Sequence, residues 1–279
     1  MSRNFLCEIL AQKRQAVARI QKDPSTSCLR ERALALRKSA VPHGLLRALQ
    51  SESPRLKIIA EFKRRSPSAG IIREDLSAGE VARRYERGGA CAISVLTDEE
   101  HFGGSTVDLS AARSSTNLPI LRKDFIIDPI QIYKAAILGA DAVLLITAAL
   151  DDGSLGELRK IAEDELGLDA LVEVHTSDEL RRTLKADAKI IGVNNRDLQT
   201  LDVSLETSER LVAEAPRDTI MISESGLQSA ESLGHLRALG FHGFLIGEAL
   251  MRATDPEKAL RDFVAEVEGR DVAAAAYPS

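Results

Sequence analysis

The chain has 279 residues, 44% hydrophobic and 28% charged, the balance of a globular protein with room for one large domain or two small ones. A net charge of −5 argues against a general nucleic-acid binder, which needs a basic face for phosphates, so an anionic ligand must meet locally placed cations. Cys7, Cys28, Cys91 and five scattered histidines lack disulfide or zinc-site spacing, no signal peptide is evident, and the apolar runs are too short for a bilayer; reduced thiols, no metal, no membrane and a cytoplasmic location are expected.

Residues 4–20 place Phe5, Ile9, Ala16 and Ile20 among basic residues and read as an amphipathic helix, broken by Asp23-Pro24-Ser25. Further helical turns are expected at 29–37 and 44–49. No Gly-, Ser- or Pro-rich linker follows, so 1–50 is read as a helical extension over the mouth of the barrel formed by the rest of the chain rather than a partner-binding arm.

The next run, Ile58-Ile59-Ala60, leads into Glu61-Phe62-Lys63-Arg64-Arg65-Ser66-Pro67-Ser68. Residues i and i+2 of a strand share a face, so Glu61 and Lys63 project with Ile59 toward whatever that face encloses. Charges inside strands are usually paired or do chemistry. The Ser-Pro-Ser that follows ends the strand in a loop rich in hydroxyls and N–H groups, suited to an active-site rim.

Apolar runs then recur at 91–96, 119–121, 142–146, 170–174, 190–193, 220–222 and 243–246, their starts about 20 to 30 residues apart, enough for a strand, a helix and two loops. Helical patterns lie between them at 80–87, 129–138, opened by Pro129, 177–184, and 229–239, closed by Gly240. Eight strands alternating with helices imply a parallel sheet, and this spacing suits a single closed (β/α)8 TIM barrel over 51–270 better than an open doubly wound sheet. Residues 271–279 are read as a flexible tail.

In such a barrel the C-terminal strand ends converge on one face, where active sites lie. Here those ends carry Glu61 and Lys63; Arg122-Lys123-Asp124-Phe125; Glu173-Val174-His175; Asn194-Asn195-Arg196-Asp197; Ser223-Glu224-Ser225-Gly226; and Gly247-Glu248. Carboxylates, lysines and an asparagine at equivalent positions are hard to ascribe to solubility. Glycines after strands seven and eight, with Ser66 nearby, point to a phosphate monoester held by backbone N–H groups. His175 shares a strand face with Glu173 but is expected at the rim, outside the chemistry. Arg196 is equally suited to holding substrate and to bracing Asp197.

These motifs, with Leu121–Ile126, Leu171–His175, Ile191–Leu198 and Phe244–Met251 around them, resemble the indole-3-glycerol phosphate synthase family over nearly the whole chain. The resemblance implies ring closure, decarboxylation and dehydration of 1-(2-carboxyphenylamino)-1-deoxyribulose 5-phosphate, a step of tryptophan biosynthesis, with no cofactor because lysines supply the positive charge. It implies Lys123 as the acid of ring closure, Lys63 as the carboxylate binder and a candidate acid for loss of hydroxide, and Glu173 as base or relay. Glu61, Asn194 and Glu224 would position hydroxyls and lysines. Ser66, Ser225, Gly226, Gly247 and Glu248 would hold the phosphate; Phe102, Phe125 and Leu198 are candidates for the aromatic slot, though Phe125 is also a candidate for plain core packing. The expected partner is this small phosphosugar, bound by a monomer. Alternatives are a Schiff-base aldolase, an isomerase of a related phosphosugar amine, and a silent sugar-phosphate-binding barrel. The last needs only the phosphate loops, not the Glu61, Lys63, Lys123 and Glu173 set.

Overall fold

Alternation along each strand sorts its side chains into two layers. In β1 (Ile58–Phe62), Ile58, Ala60 and Phe62 pack outward against helices, while Ile59 joins an inner cluster with Leu121, Leu144, Leu171, Ile190, Ile222 and Leu245. Every residue of β1 is buried, as a parallel strand covered on both faces requires. The computed structural model describes residues 5–53, 55–197 and 200–276. Leu198, expected in the aromatic slot, lies outside the described residues.

The other barrel strands are β2 (Ala92–Leu96), β3 (Ile120–Lys123), β4 (Ala142–Ile146), β5 (Asp169–Val174), β6 (Ile190–Asn194), β7 (Ile220–Glu224) and β8 (Gly243–Ile246). They pair in parallel in chain order, and β8 closes on β1 through Ile58↔Phe244 and Ile59↔Leu245. The chain is a closed (β/α)8 barrel, as its spacing predicts. The strands β3, β6 and β7 run past their apolar residues into Lys123, Asn194 and Glu224. An apolar run therefore marks where the packed core ends, whereas the hydrogen-bonded ladder continues to the mouth.

Helices follow in order: α1 (Phe5–Gln21), α2 (Leu29–Arg37), α3 (Gly44–Gln50), α4 (Ala78–Gly88), α5 (Glu99–Phe102), α6 (Thr106–Arg113), α7 (Pro129–Ile137), α8 (Asp152–Lys160), α9 (Ser177–Lys185), α10 (Glu206–Glu214), α11 (Ala230–Ala238), α12 (Glu248–Arg252) and α13 (Pro256–Ala276). Local chemistry sets their starts. Ser77 Oγ accepts the Glu80 N–H at the head of α4, and Asp128 caps α7, with Pro129 in its first turn. The last helix carries on beyond residue 270, where a tail was expected, to Ala276; 277–279 lie outside the described residues. No described helix is long and apolar enough to cross a membrane.

The expected N-terminal extension divides between the two ends of the barrel. Lys13 of α1 pairs with Asp98 and Asp124, which follow β2 and β3, so α1 sits at the mouth. By contrast, α3 covers the opposite end, where the Leu46 N–H donates to Asp169 at the start of β5 and Leu45 and Leu49 join the inner cluster. Between them, α2 packs beside α7.

Candidate active site

The mouth encloses a cavity of about 530 Å³. Its floor is the apolar inner layer, Leu144, Ile146 and Leu245; its wall is the ring of strand ends; and Phe5, Leu6 and Ile9 of α1 line it as well. Glu61, Lys63, Ser66, Phe102, Lys123, Phe125, Glu173, Asn194, Arg196, Ser225, Gly226, Gly247 and Glu248 all line this space. Glu224 belongs to the same cluster but lies fully buried beneath Lys123.

The charged groups form one connected network. Lys63 Nζ is 2.8 Å from Glu61 Oε1, and Lys123 Nζ is 2.8 Å from Glu224 Oε2 and 3.6 Å from Glu61 Oε2. Burial alone drives the Glu61 carboxyl upward, but the charges and hydrogen bonds of Lys63 and Lys123 outweigh it and hold Glu61 below the usual carboxylate range. Burial also disfavours the Lys123 ammonium, yet Glu224, Glu61 and Glu173 together raise its pKa, so it stays charged at neutral pH. Glu224 moves the other way from Glu61. Burial dominates, repulsion from Glu173 and Glu61 adds to it, and Lys123 offsets only part, so its carboxyl is pushed up to about 7.

Two glycines make room for these carboxylates. A Cβ on Gly192 of β6 would overlap Glu224 Oε1, and one on Gly247 would overlap Glu61 Oε1. Gly247, read from the sequence as a close approach to phosphate, also accommodates an acid of the network. Glu224 Oε1, held against Gly192, has no hydrogen-bond partner among the described residues.

Loops six and seven are tied together. Asn195 Nδ2 donates to Ser223 Oγ, Glu224 O and Ser225 O, and its Oδ1 accepts the Ser208 N–H at 3.1 Å. Ser225 is held with φ at 67°, a left-handed conformation costly for a non-glycine residue, and Gly226 follows at 76°. Arg196 turns its guanidinium to the Leu201 carbonyl at 2.9 Å, bracing its own loop, while its N–H donates to Asn194 Oδ1.

On the opposite wall, Phe102 and Phe125 form a tilted pair with ring centroids 6.3 Å apart. The Asp124 carboxylate accepts the Phe125 N–H and also binds Arg122, Thr97 and Lys13.

Sequence reasoning missed the α1 lining, Asn195 and Arg252. Arg252 lines the cavity and pairs with Glu248 at 2.9 Å; the i, i+4 spacing of the two was a readable signal. For α1 the amphipathic pattern was the signal, since Phe5 and Ile9 of its apolar stripe are among the residues that face the mouth. His175, expected at the rim, is largely buried between Glu173 and Glu179.

This geometry can bind an anion and transfer protons, and similarity to known proteins gives it a family. A profile described as indole-3-glycerol phosphate synthase matches residues 6–263. The chain belongs to the indole-3-glycerol phosphate synthase family. A synthase of that name from Carboxydothermus hydrogenoformans is 50% identical over 228 residues, 81% of this chain and 86% of the relative. One from Acidithiobacillus ferrooxidans is 44% identical over 260 residues, 92% and 97% of the two chains. Among solved structures, 3-hexulose-6-phosphate synthase from Salmonella typhimurium has a TM-score of 0.61 at 16% identity, covering 77% of this chain and 99% of that one. Thiamine phosphate pyrophosphorylase from Pyrococcus furiosus scores 0.59 at 19% identity, with 77% and 96% covered. At such identities these two share the fold alone. The synthase family thus accounts for nearly the whole chain, mouth included.

Proposed function

We propose that the chain converts 1-(2-carboxyphenylamino)-1-deoxyribulose 5-phosphate into indole-3-glycerol phosphate, carbon dioxide and water, a step of tryptophan biosynthesis. The observation that carries this is the coincidence of family membership over residues 6–263 with the Glu61–Lys63–Lys123–Glu224 network at the mouth.

In the first step the ring carbon bearing the carboxylate attacks the ketone, and Lys123 donates a proton to the oxygen as it becomes an alkoxide. Its raised pKa is no obstacle, since an alkoxide is more basic than an amine. Lys63 holds the carboxylate, whose loss as carbon dioxide returns the electron pair to the aromatic ring. Dehydration then removes hydroxide with a proton from a lysine, while Glu173 takes a proton from the new five-membered ring. Glu61, Asn194 and Glu224 orient the lysines and substrate hydroxyls.

The phosphate rests on Ser66 and the backbone of Ser225, Gly226, Gly247 and Glu248. The Glu248 side chain is turned to Arg252, which leaves the N–H groups at the start of α12 free of local repulsion, and Arg252 adds a cation. Phe102 and Phe125 receive the anthranilate ring. We assign the chain as a cytoplasmic monomer, and its acidic net charge supports a role without nucleic acid.

Incubation with the substrate, followed by indole fluorescence, tests the proposal. Product at catalytic turnover is expected; a folded sample that yields none overturns it. Borohydride with substrate should trap no imine at Lys123 or Lys63, which separates this chemistry from a Schiff-base aldolase.

A further inference from the structure

β5 sends Glu173 toward the cavity and, two residues on, His175 to the same side. The imidazole stands between two carboxylates, with Nδ1 3.3 Å from Glu179 Oε2 and Nε2 3.5 Å from Glu173 Oε1. Glu179 is fixed by the start of α9. Its N–H donates to Thr176 Oγ1, and its carboxylate folds back to accept the His175 backbone N–H at 2.7 Å. That cap explains Thr176 and Glu179. It does not explain why the ring is only 12% exposed, with a buried Nε2 aimed at Glu173 and lacking a well-aligned hydrogen bond.

We propose that His175 is a positioning residue, an imidazolium brace between Glu179 and Glu173 that points the Glu173 carboxylate into the cavity. The proposal rests on the reading of Glu173 as the base of dehydration.

The surroundings favour the charged ring. Glu173 faces it from its own strand, Glu179 from α9 and Glu224 from β7. Neutral Asn194 lies one step beyond the Val174↔Val193 pair on β6, and the Thr147–Ala149 turn after β4 carries no charge. Of the nearby cations, Arg182 bonds Asp152 and the Thr147 and Leu150 carbonyls, and Lys123 pairs with Glu224 and attracts Glu173. Burial opposes a charge on the ring, but the hydrogen bond to Glu179 and the three carboxylates outweigh it and raise the His175 pKa. Glu173 lies close to another acid, Glu224, and the ring at its Oε1 fixes which way its carboxylate points.

Two measurements test this, and only one depends on the reaction. Side-chain NMR titration of the histidines, without substrate, compares the wild type with Glu173→Gln and Glu179→Gln. The His175 pKa should fall by about one unit or more in each variant; no change in Glu173→Gln overturns the brace whatever the protein catalyses. Steady-state pH profiles then compare the wild type, His175→Gln, Glu173→Gln and the double variant, with His175→Asn used if His175→Gln does not fold. We expect His175→Gln to lower kcat on the order of tenfold with KM within about threefold, to lose the alkaline limb present in the wild type, and to cost nothing further on the Glu173→Gln background. Equal losses in both backgrounds, or an alkaline limb that persists in His175→Gln, overturn it. If the wild type does not turn over this substrate, the assigned reaction fails, and the titration alone decides whether the brace exists.

Discussion

Lys123 is surrounded so as to keep its proton until a strong base appears. Its ammonium lies 2.8 Å from Glu224 and 3.6 Å from Glu61, and the carboxylates raise its pKa despite burial. Water or a neutral ketone does not remove that proton, but a developing alkoxide does. Lys123→Ala should therefore lower kcat by about 10²-fold to 10⁴-fold while the protein stays folded and binds substrate; near-normal turnover would remove Lys123 from the acid role. The glycines at the network allow a finer test. Gly247→Ala puts a methyl in the space used by Glu61 Oε1, beside the backbone assigned to the phosphate. Its added methyl must displace that carboxylate, with overpacking of about 1–3 kcal/mol. A drop in melting temperature together with reduced kcat is expected. A fully active Gly247→Ala would show that Glu61 can move without consequence.

At the scale of elements, the mouth is assembled by a clasp. Lys13 of α1 reaches Asp124 Oδ1 at 2.6 Å and Asp98 Oδ2 at 2.9 Å. Asp98 also caps α5, which carries Phe102, and Asp124 holds the Phe125 N–H. One ammonium thus fixes α1 and both halves of the aromatic slot. Charge-assisted hydrogen bonds contribute about 1.5–3 kcal/mol, so Lys13→Met should raise KM by about tenfold with kcat little altered. An unchanged KM, measured beside an unchanged circular-dichroism spectrum, would reduce the clasp to surface decoration. The sequence disclosed the strands and not the clasp for a physical reason. A strand's period and a polar residue at its end are local facts, legible in Ala142–Ile146, where the apolar run and the strand share their bounds. The Lys13–Asp124 pairing joins residues distant in sequence, and only the closed barrel brings them together. Gly247 likewise reads in sequence only as a phosphate-loop glycine and Gly192 only as part of a strand, because their contact with the carboxylates depends on side chains from other strands. His175 shared a readable face with Glu173, but its second partner, Glu179, sits on the next helix.

Across the molecule, titration should separate activity from stability. Glu61 and Asp124 have folded pKa values below their usual range, since buried partners outweigh burial. Each stabilises the fold above its unfolded pKa and loses that contribution as pH falls through the folded value. Lys13 and Lys123 are raised, so their contributions are complete below the ordinary lysine pKa and lost only in strong alkali. Glu224 has the opposite sign to Glu61. Its carboxyl is pushed up to about 7, so above the unfolded pKa of 4.5 its ionisation disfavours the native state, a cost that disappears as it takes up a proton. Lowering the pH from 8 toward 5 should thus leave the melting temperature level or slightly higher, with loss setting in once Glu61 and Asp124 protonate. Activity should fall earlier, because protonating Glu224 removes the charge opposite Lys123. Expected is a kcat/KM limb centred near pH 7 while calorimetry over the same range shows no loss of stability. Glu224→Gln should give low activity throughout and no limb at that pH. If kcat/KM and melting temperature decline together in the wild type, Glu224 is not the group that couples the buried network to catalysis.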